Sequence, residues 1–442
     1  MEGGRQSRGP RDAGGVQRSG GRHTLDITGI AAGGAGVGRL PDGRVAFVHR
    51  TSPGDSVDVD VVEEKPRFVR ARLRRIRSEG ADRRAAPCPH YAHCGGCTLE
   101  HLTYDAQRRA KAGIVHESLR RIGAIEIDRP DVVASPAEFQ YRNRVSFTLL
   151  RLGGGRVVAG FHELERPGRI ADIDHRCLLP EPALARAWRD LRAEWGTNAS
   201  RLPAGSTLRL TLRTNYTGHV TLLIEGGYGH GQPAELLERV PALAGIWRRT
   251  RDGTTTPLAG APHVTEDWHG ETVELAGGMF LQVNRAAAAL LESHVVNASG
   301  DVRGLTVVDA YCGVGLYARR FERAGARVTG IELDPLAVAE ARRACAGAAV
   351  LEGRVEDLLE SVLPASLVVM NPPRAGVHAA VCDALHAAPP ARIIYVSCDP
   401  ATLARDLDRL SPQFELRAIT CFDLFPQTAH VETVAELACA TT

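Results

Sequence analysis

The chain has 442 residues, 44% apolar and 24% charged, with a formal net charge of +2. That length accommodates two to four domains of a folded, water-soluble protein. It carries no run near the roughly 18 apolar residues of a membrane span and no apolar leader, and its ten cysteines are too irregular for a secreted disulfide framework, so a cytoplasmic protein is expected and clustered cysteines read as ligands or catalysts.

Residues 1–22 hold seven glycines and five arginines and are expected to be a disordered tail. From 23 to 78, short strands alternate with glycine-rich turns, the pattern of a small OB-like β-barrel. In its last strand Arg70, Arg72 and Arg74 share one parity, and Val69, Ala71 and Leu73 share the other. Period 2 therefore puts a basic row opposite a core-facing row. Nine basic residues against two acidic ones between 65 and 84 suggest a surface that follows phosphates.

The region 79–275 reads as a β-rich central domain that opens on a cysteine loop. "CPHYAHCGGC" supplies Cys88, Cys94 and Cys97, spaced x5 then x2, and Cys177 in "DHRCLLP" is the best-placed fourth sulfur. Four thiolates suit an iron–sulfur cluster, and three with His90, His93 or His101 suit zinc. A helix is expected over about 102–122, stopped by Gly123, and it is a candidate to pack on the C-terminal domain. "FQYRNRVSF" (139–147) alternates aromatic and basic residues, an RNA-binding floor if Arg142 and Arg144 face outward.

From 276 to 442 strands and helices alternate, which predicts a Rossmann-like α/β domain with a mostly parallel sheet. "VVDAYCGVG" ends a strand at Asp309 and turns through Tyr311, Gly313 and Gly315. Glu332 ends the next strand, at the distance where an acid meets ribose hydroxyls, and Asp357 could face an adenine. "NPPR" sets a rigid proline wall beside Asn371. "RIIYVSCDP" delivers Cys398 to the start of a helix capped by Asp399 and opened by Pro400, a field that favours the thiolate.

The ordered set D-A-Y-C-G-V-G, E-L-D-P, N-P-P-R, V-S-C-D-P and "DLFPQTAHVETV" (423–434) resembles the RNA uracil-5-methyltransferase family that carries an N-terminal TRAM barrel, over nearly the whole chain from residue 23. Phe280, Gln282 and Asn284 match that family's opening signature. The resemblance implies a class I S-adenosylmethionine-dependent fold, with Gln282, Tyr311, Glu332 and position 371 binding cofactor beside Asp309 and Gly313. Cys398 would be the nucleophile that attacks C6 of uracil and Glu432 the base that removes the C5 proton, with His430 and Asp423 as local competitors. It also implies a four-iron cluster on Cys88, Cys94, Cys97 and Cys177, structural or RNA-binding, and a monomeric enzyme acting on ribosomal RNA of the large subunit rather than transfer RNA. The family carries Asp where this chain has Asn371. An exocyclic-amine methyltransferase or a non-catalytic iron–sulfur RNA-binding protein are the alternatives, and neither needs Cys398 with Glu432.

Overall fold

The computed structural model describes residues 21–268, 270–276 and 278–440, apart from the side chain of Glu271. The expected tail falls almost wholly outside them. The chain divides into two compact units, the first ending at Arg83 and the second beginning at Arg84.

In the first unit β1 (Arg22–Ile30), β2 (Gly36–Arg39), β3 (Val45–Val48), β4 (Ser56–Glu64) and β5 (Phe68–Ser78) close a barrel in the order β1-β2-β3-β5-β4. Alternation dictates this. Val57, Val59, Val61, Val69 and Ala71 fill the interior while the residues between them turn outward. The basic row is exposed as expected, but it is not a free positive face. Arg70 pairs with Glu63 at 3.3 Å, Arg74 with Asp60 at 3.7 Å, and Arg75 and Arg77 share Asp58 at 2.8 and 2.6 Å. A count along 65–84 misses these acids because they come from β4.

The second unit contains both regions that the sequence separates at 275. After α1 (Tyr104–Ile122) and β6 (Val132–Val133), β7 (Arg144–Arg151), β8 (Val157–His162) and β9 (Ile170–Asp172) precede α2 (Pro182–Glu194). Next come β10 (Thr207–Thr214), β11 (Val220–Glu225), α3 (Pro233–Arg239), β12 (Leu243–Arg249) and β13 (Thr255–Gly260). These form a seven-stranded sheet ordered β13-β12-β11-β10-β7-β8-β9. Its core includes Phe147 and Trp188, with ring centroids 4.4 Å apart. The hairpin β14 (Val264–Trp268) and β15 (Glu271–Leu275) follows.

The remainder alternates: α4 (Arg285–Ser299), β16 (Thr306–Ala310), α5 (Leu316–Arg323), β17 (Arg327–Glu332), α6 (Pro335–Ala344), β18 (Ala349–Glu352), α7 (Val355–Leu358) and β19 (Leu367–Met370). Then come α8 (Ala379–Ala387), β20 (Arg392–Ser397), α9 (Pro400–Leu410), β21 (Phe414–Phe422) and β22 (Glu432–Cys439). The sheet runs β18-β17-β16-β19-β20-β22-β21-β6, parallel from β18 to β20, with β22 antiparallel to both its neighbours. All four residues of β19 are buried, as a strand covered on both faces requires. Two elements expected in the central domain belong to this sheet. β6 pairs with β21, and α1 buries Ala112, Val115 and Leu119 in the same core as Leu403 and Leu407 of α9.

Candidate active site

The cofactor turn follows β16, where the strand order of the sheet runs outward in two directions and leaves a crevice. Tyr311, Gly313 and Gly315 all have positive φ, of 63°, 55° and 79°. For Tyr311 that conformation costs about 1–3 kcal/mol, and strain of this size persists where the surroundings fix it. Glu332 ties the turn down two residues further on: one carboxylate oxygen accepts from Gly313 N at 2.9 Å, and the other accepts from Leu333 N and Asp334 N at 2.7 and 2.8 Å. Asp309 stands behind the turn, buried, and accepts from Ala318 N at 3.0 Å. Burial pushes its carboxyl up to about 7.

A cleft of about 1120 Å³ opens in front of this turn and is lined by Gln282, Tyr311, Gly313, Glu332, Asn371, Cys398 and Glu432. It exceeds the roughly 300–1,000 Å³ of a small-molecule site, leaving room for a cofactor and a base together. Asp309 and Asp357 are not among its walls; Glu356, beside Asp357, is. Pro372 and Pro373 form one side as expected.

Cys398 lies between β20 and α9. Asp399 caps the helix by accepting from Ala401 N and Thr402 N at 2.9 and 3.1 Å. Ser397 pairs with Thr433 in the antiparallel β20–β22 ladder, so Cys398 directly follows one member of that pair and Glu432 directly precedes the other. Burial and the Glu432 charge push the thiol up to about 11, against the pull of Arg374. The helix terminus, worth about 0.3–1 kcal/mol at an exposed end, does not overcome that burial. In the free protein Cys398 is therefore a thiol, where the sequence alone favours a thiolate. Burial likewise raises Glu432 to about 8, opposed by Arg374. His430 lines the same cleft, and its desolvation together with Arg374, Arg142 and Lys111 holds the imidazole down to about 4, so it stays neutral.

A protein of Gloeobacter violaceus named an uncharacterized RNA methyltransferase is 35% identical over 440 residues, covering 94% of this chain and 96% of that protein. A second such protein, of Thermosynechococcus vestitus, is 32% identical and covers 96% and 99%. Residues 353–438 match the tRNA (uracil-5-)-methyltransferase family model and residues 18–73 the TRAM domain. The chain belongs to the RNA uracil-5-methyltransferase family. Its fold also matches the crystal structure of the Pyrococcus abyssi tRNA (uracil-54, C5)-methyltransferase in complex with S-adenosyl-L-homocysteine, with a TM-score of 0.73 and 26% identity over 94% of this chain and 99% of that one.

The methyltransferase is S-adenosylmethionine-dependent, and the residues of the cleft fit that cofactor. The strained glycine turn lets backbone approach a ligand, and the Glu332 carboxylate borders it. Sequence reasoning misses Arg374, the residue whose charge acts on both Cys398 and Glu432; its signal is the lone cation of "NPPR". Asn284 of the opening signature is structural. It caps α4 by accepting from Ala287 N at 3.1 Å and donates to Leu424 O at 3.2 Å. Asp423, a competitor for the role of base, is buried in an ion pair with Lys111 of α1 and does not line the cleft.

Arg142 corrects the expected RNA floor. The strand begins only at Arg144, and Arg142 turns inward over the Tyr141 and Phe425 rings, 5.7 and 6.0 Å from their centroids. Its charge acts on Cys97 and Cys177. Cys94, Cys97 and Cys177 share one buried core with Cys88 packed against it, and all four are free thiols. The side-chain contact between Cys88 and Cys177 holds Cys88 below the ordinary thiol value and drives Cys177 above it. His90 Nε2 is paired with Asp174 at 2.9 Å and His101 Nδ1 with Tyr91 Oη at 2.6 Å. Among the described residues no group of three or more His, Cys, Asp or Glu is placed to hold a metal ion, so the expected cluster is not shown. The four sulfurs are of the donor type that iron–sulfur clusters use, and the half-buried Arg142 acts on two of them. No helix among the described residues is long and apolar enough to cross a membrane.

Proposed function

We propose that the methyltransferase modifies C5 of a uridine in structured RNA through a covalent bond between Cys398 and C6 of the base. The observation that supports this is that Cys398 and Glu432, each next to one member of the Ser397–Thr433 pair, line the one cleft that the cofactor turn borders. Attack by the Cys398 sulfur on C6 makes C5 nucleophilic. Because burial keeps Cys398 a thiol in the free protein, its S–H proton passes to solvent as the target base enters and the S–C6 bond forms. S-adenosylmethionine, when bound, supplies the methyl group to C5. Glu432 then removes the C5 proton, the electron pair re-forms the C5–C6 double bond, and Cys398 departs. Arg374 steadies both anionic groups, and Gln282, Glu332 and Asn371 hold the cofactor. The target base must leave its stack at a cost of a few kcal/mol, least in a loop.

Large-subunit ribosomal RNA is the proposed substrate, with the protein acting in the cytoplasm as a monomer. Cys88, Cys94, Cys97 and Cys177 would hold an iron–sulfur cluster that ties residue 177 to the loop and takes no part in methyl transfer. A second reading, transfer RNA, is favoured by the specificity of the Pyrococcus abyssi neighbour. Incubating the pure protein and methyl-labelled cofactor with each RNA from a deletion strain decides between them. Label mapped to 5-methyluridine in large-subunit RNA supports the proposal, label in transfer RNA supports the second reading, and label in neither sinks both.

A further inference from the structure

The segment that delivers His430 and Glu432 is irregular backbone between β21 and β22, and one residue in it is held from several directions. Gln427 is 0% exposed and has a φ of 71°, a conformation that a non-glycine residue keeps only under external constraint. Its carbonyl accepts from Thr98 N and Leu99 N, both at 2.9 Å. Its N–H donates to Gln107 Oε1 at 2.8 Å, and Gln107 Nε2 donates back to its side-chain oxygen at 2.9 Å. That oxygen also accepts from Arg84 at 3.0 Å, while Gln427 Nε2 donates to Glu138 O at 3.2 Å and to the Glu138 carboxylate at 3.4 Å.

None of these partners lines the cleft. They come from Arg84, the end of the cysteine loop, helix α1 and the approach to β7. Thr98 directly follows Cys97, so the cysteine loop reaches the catalytic segment through backbone hydrogen bonds alone. The neighbours of Gln427 are pinned in the same way: Tyr141 Oη donates to Pro426 O at 2.9 Å, and Lys111 Nζ donates to Phe425 O at 3.0 Å. An interaction set this dense is excessive for a loop that only connects strands. It fits a segment whose last residue must meet one proton of a bound base.

We propose that Gln427 is a positioning residue, through which the cysteine loop and α1 fix the catalytic segment so that Glu432 faces the reacting carbon. This rests on the reading of Glu432 as the base. The test uses Gln427→Met, which keeps volume and removes the side-chain hydrogen bonds, and Gln107→Ala, which removes the two bonds that Gln107 makes to the Gln427 side chain and backbone N–H. In both, kcat should fall roughly tenfold to a hundredfold, the scale of a misplacement of about 1 Å. KM for RNA and Kd for S-adenosylmethionine should stay within twofold, and amide hydrogen exchange should quicken across 423–432 but not across 309–317. A general loss of structure would instead weaken cofactor binding and quicken both segments, which overturns the proposal. So would an unchanged kcat, whatever the exchange. Were the wild-type protein itself unable to methylate uridine, the proposed function would fail separately, and unchanged exchange across 423–432 would still overturn the role of Gln427.

Discussion

Cys398 directly follows Ser397 and Glu432 directly precedes Thr433, the last pair of the antiparallel β20–β22 ladder. Both line one cleft, and the carboxylate raises the thiol. Two groups so placed can act on adjacent carbons of one ring, yet they act at different times. Cys398→Ala should therefore give neither methylated RNA nor covalent complex. Glu432→Gln keeps the nucleophile and the shape, so it should transfer the methyl group and stall. A methylated RNA–protein adduct that survives denaturing electrophoresis is the expected product. Normal turnover by Glu432→Gln would move the role of base to His430, since Asp423 is committed to Lys111.

The buried carboxyl of Glu432 also makes a prediction about stability. Its ordinary value is 4.5 and its folded value about 8, so between those limits the unfolded chain is ionised there while the native protein keeps the proton. The native state binds more protons, and this group's contribution to stability declines as pH rises from about 4.5 to 8. At pH 7 the cost is up to about 3 kcal/mol. Glu432→Gln carries no such cost. It should melt above wild type at pH 8, with the gap closing towards pH 4.5. Catalysis runs the other way, because the base must be ionised: wild-type kcat should climb through pH 7 to 8. Equal melting temperatures at both pH values would show that Glu432 is solvated.

Much of this architecture is legible in the sequence because local signals and burial agree. The barrel strands follow period 2, and Asp399–Pro400 and Asp334–Pro335 cap and open their helices as residue types dictate. Helix α2 escapes a reading of the region as strands, although Leu184, Ala187, Trp188 and Leu191 repeat at helical spacing. The neutral state of Cys398 is not legible. It depends on burial and on Glu432, which lies 34 positions along the chain and becomes a neighbour only through the β20–β22 register. Arg142 misleads for the same reason: alternation assigns a face, but Arg142 lies outside the strand, and its surroundings are set by Phe425 and the cysteines.

The cysteine centre predicts a metal content. Protein purified without oxygen should be brown and hold about four irons per chain, and Cys97→Ser should lose most of the iron and the colour. The half-buried Arg142 would compensate an anionic cluster, so Arg142→Met should also lower iron retention while leaving all four sulfurs in place. Stoichiometric zinc in the wild-type protein, with no iron after anaerobic purification, would refute the cluster.

The barrel offers a test of its own, and the acids of β4 sharpen it. Surface pairs such as Arg70–Glu63 and Arg74–Asp60 are worth little, so an arriving phosphate can take the arginine from its carboxylate. If Arg70, Arg72 and Arg74 bind the RNA backbone, changing all three to Ala should reduce the salt slope of binding by roughly 0.7–0.9 for each phosphate no longer neutralised. The same change leaves Glu63 with Lys65 but without Arg70, and Asp60 with Arg22 but without Arg74, so affinity at low salt should fall further than the missing phosphate bonds alone imply. The converse variant, Asp60→Asn with Glu63→Gln, keeps every arginine and removes only the competing charge. It should tighten binding at low salt and converge on wild type as salt rises. If neither variant alters the slope or the affinity, the row is a self-neutralised surface and RNA is held elsewhere on the protein.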